Sequence, residues 1–220
     1  MADFPILYTS AMVRALLAGW KTQTRRPAWR NNTRKVGVFT DPKDREAKPS
    51  PWQKVKPGDR LWVRETWQYA PQRYCCCPQG AEPSPCDDWL DGTGCQSSRD
   101  GVVYAADRTT AASWRPSIHL PRFASRLTLI VTATKTERLQ VISAEDAVAE
   151  GLIPIGVRFG IPVFKIEGDD RHGTAVSAFA ELWRGSYSSG PNAWERNPEV
   201  VAISFRVVRA NIDSAEALAA

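Results

Sequence analysis

The chain has 220 residues, 43% of them hydrophobic and 24% charged, with a net charge of +5 and a pI near 9.1. That length implies one domain, or one domain with a sizeable insertion. No apolar run approaches the roughly 18 residues of a bilayer-spanning helix, so a membrane protein is excluded. The opening MADFPILYTS lacks the basic and apolar segments and the cleavage site of a signal peptide, so the expected location is cytoplasmic. In a reducing compartment the five cysteines are not expected to form a disulfide framework. Two histidines, His119 and His172, exclude a histidine-rich metal centre.

Pro5 to Tyr8 reads as a short strand, and Ser10 is placed to cap a helix through Met12, Leu16 and Leu17 that stops at Gly19. Between Pro27 and Pro57 no periodicity is sustained, and the segment reads as a long loop. The turn Lys56-Pro57-Gly58-Asp59 feeds a strand from Arg60 to Gln68, in which Leu61, Val63, Glu65 and Trp67 alternate with Trp62, Arg64, Thr66 and Gln68. Residues 70–100 hold every cysteine and read as an insertion without helix or strand pattern. Gly101 to Ala106 returns to a strand, SWRPSIHLP at 113–121 is a proline-braced loop, and Ser125 to Leu139 is a strand that bends once. Ser143 and Asp146 form a capping box for a helix from Ala144 to Glu150 ended by Gly151. A second amphipathic helix covers Ala175 to Gly185. A last strand runs from Val200 to Val208 before an alanine-rich tail at 211–220, expected to be mobile. Strands spread along the chain with three short helices imply an α+β, mostly antiparallel barrel decorated by helices, spanning 1–210 with loop insertions at 27–57 and 70–100.

Charge is uneven. Residues 1–73 hold 15 Lys/Arg against 6 Asp/Glu, whereas the remainder holds 14 against 18. Trp20, Trp29, Trp52, Trp62 and Trp67 are interleaved with that basic half. This combination suits phosphate attraction with base stacking, although tryptophans at strand spacing are also ordinary core residues. Phosphate-loop, dinucleotide and zincin motifs are absent. The densest polar run is GWKTQTRR at 19–26. Lys21 and Thr24 would face opposite sides of a regular strand, so their convergence needs a turn or bulge just past Gly19. Converged, an ammonium beside a hydroxyl is able to polarise or attack a carbonyl. Otherwise Lys21, Arg25 and Arg26 line a solvated edge.

Several segments together resemble the ASCH domains of the PUA-like superfamily, in particular the longer bacterial and prophage-type members. They are GWKTQTRR at 19–26, PGDRLWVRETW at 57–67, RLTLIVTATKTERLQ at 126–140, ISAEDAVAEG at 142–151 and the terminal VVAISFRVV, with a WRPSIHLPRFASR-like segment at 114–126. The resemblance implies a PUA-like barrel and binding of RNA or a modified nucleoside. Compact ASCH proteins are amidohydrolases that remove the acyl group from N4-acetylcytidine, and another member is a ribonuclease. Carried over residue by residue, the resemblance implies catalytic roles for Lys21, Thr24 and Glu150 and no required cofactor. Glu145 takes the place of Glu150 if the helix is aligned differently. The insertions at 27–57 and 70–100 have no counterpart in the compact members.

Independently, a carboxylate in the last turn of a helix meets the negative end of its dipole, an unfavourable placement of about 0.3–1 kcal/mol. Selection for stability alone would not choose Glu150. Of Arg64 and Glu65 one must point inward, and Glu65 is expected there, paired with Arg25 or Arg26. Trp114, Arg115 and Arg122 are candidates for stacking on a base and holding a phosphate, and Trp20, Arg25, Arg26, Arg64, Glu65, Ser117 and His119 complete the candidate nucleic-acid or substrate-binding set. Ser117 and His119 sit two residues apart without a local orienting carboxylate, which argues against a serine hydrolase. Cys75, Cys77, Cys86 and Cys95 form a candidate structural zinc set, the alternative being free thiols in a loop. The expected function is deacylation of N4-acylated cytidine, with a non-catalytic RNA or modified-base binding module and a ribonuclease as alternatives. A metal-dependent nuclease is disfavoured because no carboxylates cluster around Lys21 in the sequence.

Overall fold

A computed structural model describes residues 1–30, 47–69, 101–108, 111, 113–166 and 172–219. The candidate zinc cysteines and the 70–100 insertion lie outside the described residues. Among these residues the protein is α+β, with a mostly antiparallel sheet and few, short helices. The five-stranded sheet comprises β1 (Asp3–Leu7), β2 (Gln23–Pro27), β5 (Arg60–Arg64), β8 (Thr128–Arg138) and β12 (Glu199–Val208), in the order β1-β5-β8-β12-β2. Only β1 and β5 run parallel. No ladder joins β1 to β2 among the described residues. The two edges nevertheless approach, and Arg26 Nη2 donates to the Leu7 carbonyl across the seam at 2.8 Å.

The interior strand β12 is apolar on both faces because both are covered. Val201, Ile203 and Phe205 join Ile6, Leu61, Val63, Leu129 and Val131 in one core, onto which α1 (Ser10–Leu17) packs Met12, Val13 and Leu16. Val200 joins a second core made by α2 (Ala144–Ala149) and α3 (Ala175–Ser186), with Leu139, Leu152, Phe179 and Trp183. Burial of each such large side chain contributes about 1.5–3 kcal/mol.

Several expectations need correction. Helix α1 is capped by Thr9, whose side chain accepts from the Met12 amide, one residue before Ser10. The single strand expected from Arg60 to Gln68 is two. It ends at Arg64, and β6 (Trp67–Tyr69) pairs instead with β7 (Val102–Tyr104) and with Arg115. The loop after Pro27 contains a small ribbon, β3 (Trp29–Arg30) with β4 (Lys48–Pro49), and a 3-10 turn at Pro51–Lys54. Residues 153–173 add β9 (Ile153–Arg158), β10 (Ile161–Lys165) and β11 (His172–Gly173). The segment expected as a mobile tail is docked. Ile212 is buried, Asn211 donates to the carbonyls of Arg122, Phe123 and Ser125, and α4 (Ala215–Leu218) buries Ala217.

Candidate active site

The convergence that Lys21 and Thr24 required is built at Gly19 and Thr22. Gly19 has φ +77°, which turns the chain out of α1. Lys21 then forms an isolated bridge to Glu150, and the Thr22 amide bonds the Ala149 carbonyl. Opposite, the β8/β12 ladder shifts register between Ser204 and Phe205, and the Phe205 amide reaches the Thr22 carbonyl. Lys21 therefore lies before the start of β2 (Gln23–Pro27), bridged to Glu150, and is not bound by the alternation of that strand. Gly151 fixes the other wall. It has φ +102°, and a Cβ there would sit 3.1 Å from both Lys21 Cβ and Ala15 Cβ, so a side chain is both strained and crowded.

Lys21, Thr24 and Glu150 line one cavity of about 100 Å³ at the junction of the two cores, with Tyr8, Met12 and Phe179 among its walls. All three side chains are buried. Lys21 Nζ donates to Glu150 Oε2 at 2.9 Å and to the Glu150 carbonyl at 2.7 Å. The ammonium therefore answers both the carboxylate and the negative end of α2, which removes the penalty expected for a helix-terminal glutamate. Burial pushes the Lys21 pKa below its ordinary value, assisted by Arg26 and Arg25 and opposed by Glu150. Glu145 is exposed and takes no part.

Behind Lys21 stands Arg25, whose side chain is fully buried. Its Nη1 reaches Glu150 Oε1 at 3.3 Å, and Nη2 reaches Glu137 at 2.6 Å and Asp146 at 2.8 Å. Lys135 pairs with Asp146 and Glu137. Three cations, Lys21, Arg25 and Lys135, are thus interleaved with three carboxylates. Burial acts to raise the Asp146 pKa, but the bonds from Lys135, Arg25 and Gln23 hold it below its ordinary value. The carboxylate cluster that the sequence did not reveal is therefore present, drawn from β8 and α2. Its oxygens are committed to cations and, at Asp146 Oδ1, to the Gln23 amide, and no group of three His, Cys, Asp or Glu residues suited to a metal occurs among the described residues.

Sequence reasoning missed Tyr8. Its hydroxyl is buried without a hydrogen-bond partner among the described residues, and burial pushes its pKa well above the ordinary phenol value. Arg26 and the Thr24 side chain act in the opposite direction. Lys21 Nζ and the Arg26 guanidinium lie 5.6 and 5.2 Å from the Tyr8 ring centre. An orphaned buried hydroxyl was the available signal, and it appears only after folding.

The remaining candidates lie elsewhere. Glu65 points inward as expected, but its partner is Arg126, bonded at 2.9 and 3.0 Å, and not Arg25 or Arg26. Burial raises the Glu65 pKa against the opposing effect of Arg126. Arg64 bonds the Ile118 carbonyl and lies over Trp62. Arg122 is held by Asp3 and Asp213 at the opposite end of β1 from Tyr8. Arg115 stacks on Trp67 and Tyr69. Trp114 is half-buried, Ser117 and His119 sit in a short 3-10 turn, and Trp20 is exposed. None of Trp20, Arg64, Glu65, Trp114, Arg115, Ser117, His119 and Arg122 is among the walls of the Lys21 cavity, whereas Arg25 and Arg26 are. Two of the cations in the basic segment 1–73, Lys21 and Arg25, are paired internally with carboxylates from the second half of the chain.

Compared with known proteins, the chain matches no family model, no curated protein and no solved structure. No helix among the described residues is long and apolar enough to cross a membrane.

Proposed function

We propose that the cavity holding Lys21, Thr24 and Glu150 hydrolyses the exocyclic amide of an N4-acylated cytidine in a PUA-like, ASCH-type protein. The observation that carries this reading is the convergence of a buried amine, a hydroxyl and a carboxylate in one small cavity. The cavity is small, about 100 Å³, and has room for an acyl group.

An amide is a poor electrophile, so its hydrolysis needs an activated nucleophile, a donor to the oxyanion and a proton for the leaving nitrogen. Within the Lys21–Glu150 pair the ammonium first gives a proton to the carboxylate, a transfer that burial of Lys21 favours; Thr24 Oγ then attacks the acyl carbon as its proton passes to the Lys21 amine. The unpartnered Tyr8 hydroxyl donates to the oxyanion. The proton moves through Lys21 and Glu150 to the amide nitrogen, and the C–N bond breaks to release cytidine. Water, deprotonated by the same relay, cleaves the Thr24 ester, releasing the acid and restoring Thr24. The residues of the chain suffice for every proton transfer in this sequence.

One observation favours a second reading, a non-catalytic binding pocket: both Glu150 oxygens are engaged, one by Lys21 and one by Arg25. Incubation of the protein with N4-acetylcytidine and with acetylated RNA, monitored for acetate release beside a binding titration, separates the two. Turnover supports the hydrolase, whereas binding without turnover establishes a reader.

A further inference from the structure

The seam between β1 and β2 holds a second cavity of about 530 Å³, within the roughly 300–1,000 Å³ range of small-molecule sites. Two prolines explain why the edges do not bond each other there. In the parallel β1/β5 ladder the Arg60 amide bonds the Ala2 carbonyl and the Tyr8 amide bonds the Arg64 carbonyl, so the even-numbered residues of β1 face β5 and Asp3, Pro5 and Leu7 turn their backbone to the seam. In the β2/β12 ladder the Ala28 amide bonds the Glu199 carbonyl and the Phe205 amide bonds the Thr22 carbonyl, which leaves Gln23, Arg25 and Pro27 turned to the seam in the same way. Each edge thus brings a proline to the cavity, and Pro5 and Pro27 are both among its walls. A proline has no N–H, so neither edge donates at this point and each offers a carbonyl. Arg26 bridges the seam farther along β1, at the Leu7 carbonyl.

Two further features of the walls select a ligand. Phe4, Trp29, Trp52 and Tyr187 supply aromatic surface from four separate parts of the chain, and the Trp29 indole N–H donates to Glu199, which fixes the orientation of that ring. Ser50 is also a wall residue, 3% exposed, and its Oγ has no hydrogen-bond partner among the described residues. A buried hydroxyl without a partner is costly unless a ligand satisfies it. Aromatic walls beside two carbonyl acceptors and an unpartnered hydroxyl suit a flat heteroaromatic ring with N–H donors on its rim. An aliphatic chain would leave those polar groups unanswered.

We infer that the seam cavity binds a nucleobase carrying an exocyclic amine. The ring lies against the aromatic walls, the amine donates to the carbonyl of Pro5 or Pro27, and a ring nitrogen accepts from Ser50 Oγ. The site is distinct from the Lys21 cavity: Tyr187 is a wall of both, but none of Lys21, Thr24 and Glu150 lines the seam cavity. Binding there needs no acyl group and no turnover, so the inference goes beyond the proposed function and stands or falls apart from it.

Calorimetric titration of the full chain with adenosine and with purine riboside, which is adenosine without its amine, tests the inference. Adenosine should bind about fivefold or more tightly than purine riboside, the scale of one hydrogen bond. Ser50→Ala should weaken adenosine binding about fivefold while leaving the Tm of the free protein equal or higher, since it deletes an unpartnered hydroxyl. Trp29→Ala should weaken both nucleosides about tenfold through lost stacking. Equal affinity for the two nucleosides, no binding of adenosine, or an adenosine affinity that either substitution leaves unchanged overturns the inference. The comparison of the two nucleosides needs no variant, so a substitution that fails to fold does not mask the result. Adenosine binding without hydrolysis of N4-acetylcytidine leaves the seam site standing and removes the hydrolase reading alone, and hydrolysis without adenosine binding does the reverse.

Discussion

Glu65 and Glu150 are buried to nearly the same degree, 1% and 3% exposed, and each is bonded to an arginine. Their surroundings differ in kind. Glu65 gives both oxygens to one guanidinium, Arg126, which is backed by Asp107 and lies 4.0 Å from the Tyr104 ring centre. Glu150 divides its oxygens between Lys21 and Arg25 and faces a cavity with Thr24 and the unpartnered Tyr8 hydroxyl. Burial and an ion pair are shared by scaffold and candidate site alike. What separates them is mixed chemistry beside open space.

Substitutions sharpen the contrast. Thr24→Ala removes the proposed nucleophile and should lower turnover of N4-acetylcytidine by about 10³-fold or more, measured as acetate released per folded protein, with little change in Tm. Tyr8→Phe should lower kcat by about 10²-fold through loss of an oxyanion donor. The same change should leave stability equal or raise it, because it deletes a buried hydroxyl without a partner; loss of stability in urea unfolding would show that the hydroxyl is satisfied in solution. Glu65→Ala should act in the opposite sense, costing about 3 kcal/mol by leaving Arg126 with Asp107 alone, while kcat per folded molecule stays unchanged.

The smallest effect concerns acid. The folded Asp146 pKa lies below its ordinary value, so its contribution to stability is complete above the unfolded value near 4. That contribution is lost as the pH falls through the lower folded value. Asp146→Asn should flatten this part of the acid-melting profile by a few °C at most. An unchanged profile would show that Lys135 and Arg25 do not hold this carboxylate.

The sequence carried the elements with strong local signals. The α2 cap at Ser143, the α3 face with Phe179 and Trp183, and the alternation from Leu61 to Trp67 all have the expected side chains inward. The break of that last segment into two sheets was illegible, because Glu65 and Thr66 continue the alternation and only tertiary pairing of Trp67 with Tyr104 and Arg115 ends it. The β9/β10 hairpin was hidden for a different reason. Its two-residue turn places Phe159 at φ +52° before Gly160 at φ +78°, a conformation in which Asn or Asp normally announces the turn, and Pro154 and Pro162 argue against strands. At the site, Lys21, Thr24 and Glu150 were legible through the family resemblance and the helix-terminal position of Glu150. Arg25 as the hub of Glu137, Asp146 and Glu150 was not, since those partners are 112 to 125 residues away.

The two buried glutamates provide the most direct measurement. Glu150→Gln and Glu65→Gln are assayed side by side for acetate release from N4-acetylcytidine, each normalised to its folded fraction by circular dichroism. The account predicts a loss of about 10²-fold or more for Glu150→Gln, as for removal of a general acid-base group, and a change within about twofold for Glu65→Gln, the scale of a substitution outside the chemistry. Equal losses in the two variants, or a larger loss at Glu65, would contradict it.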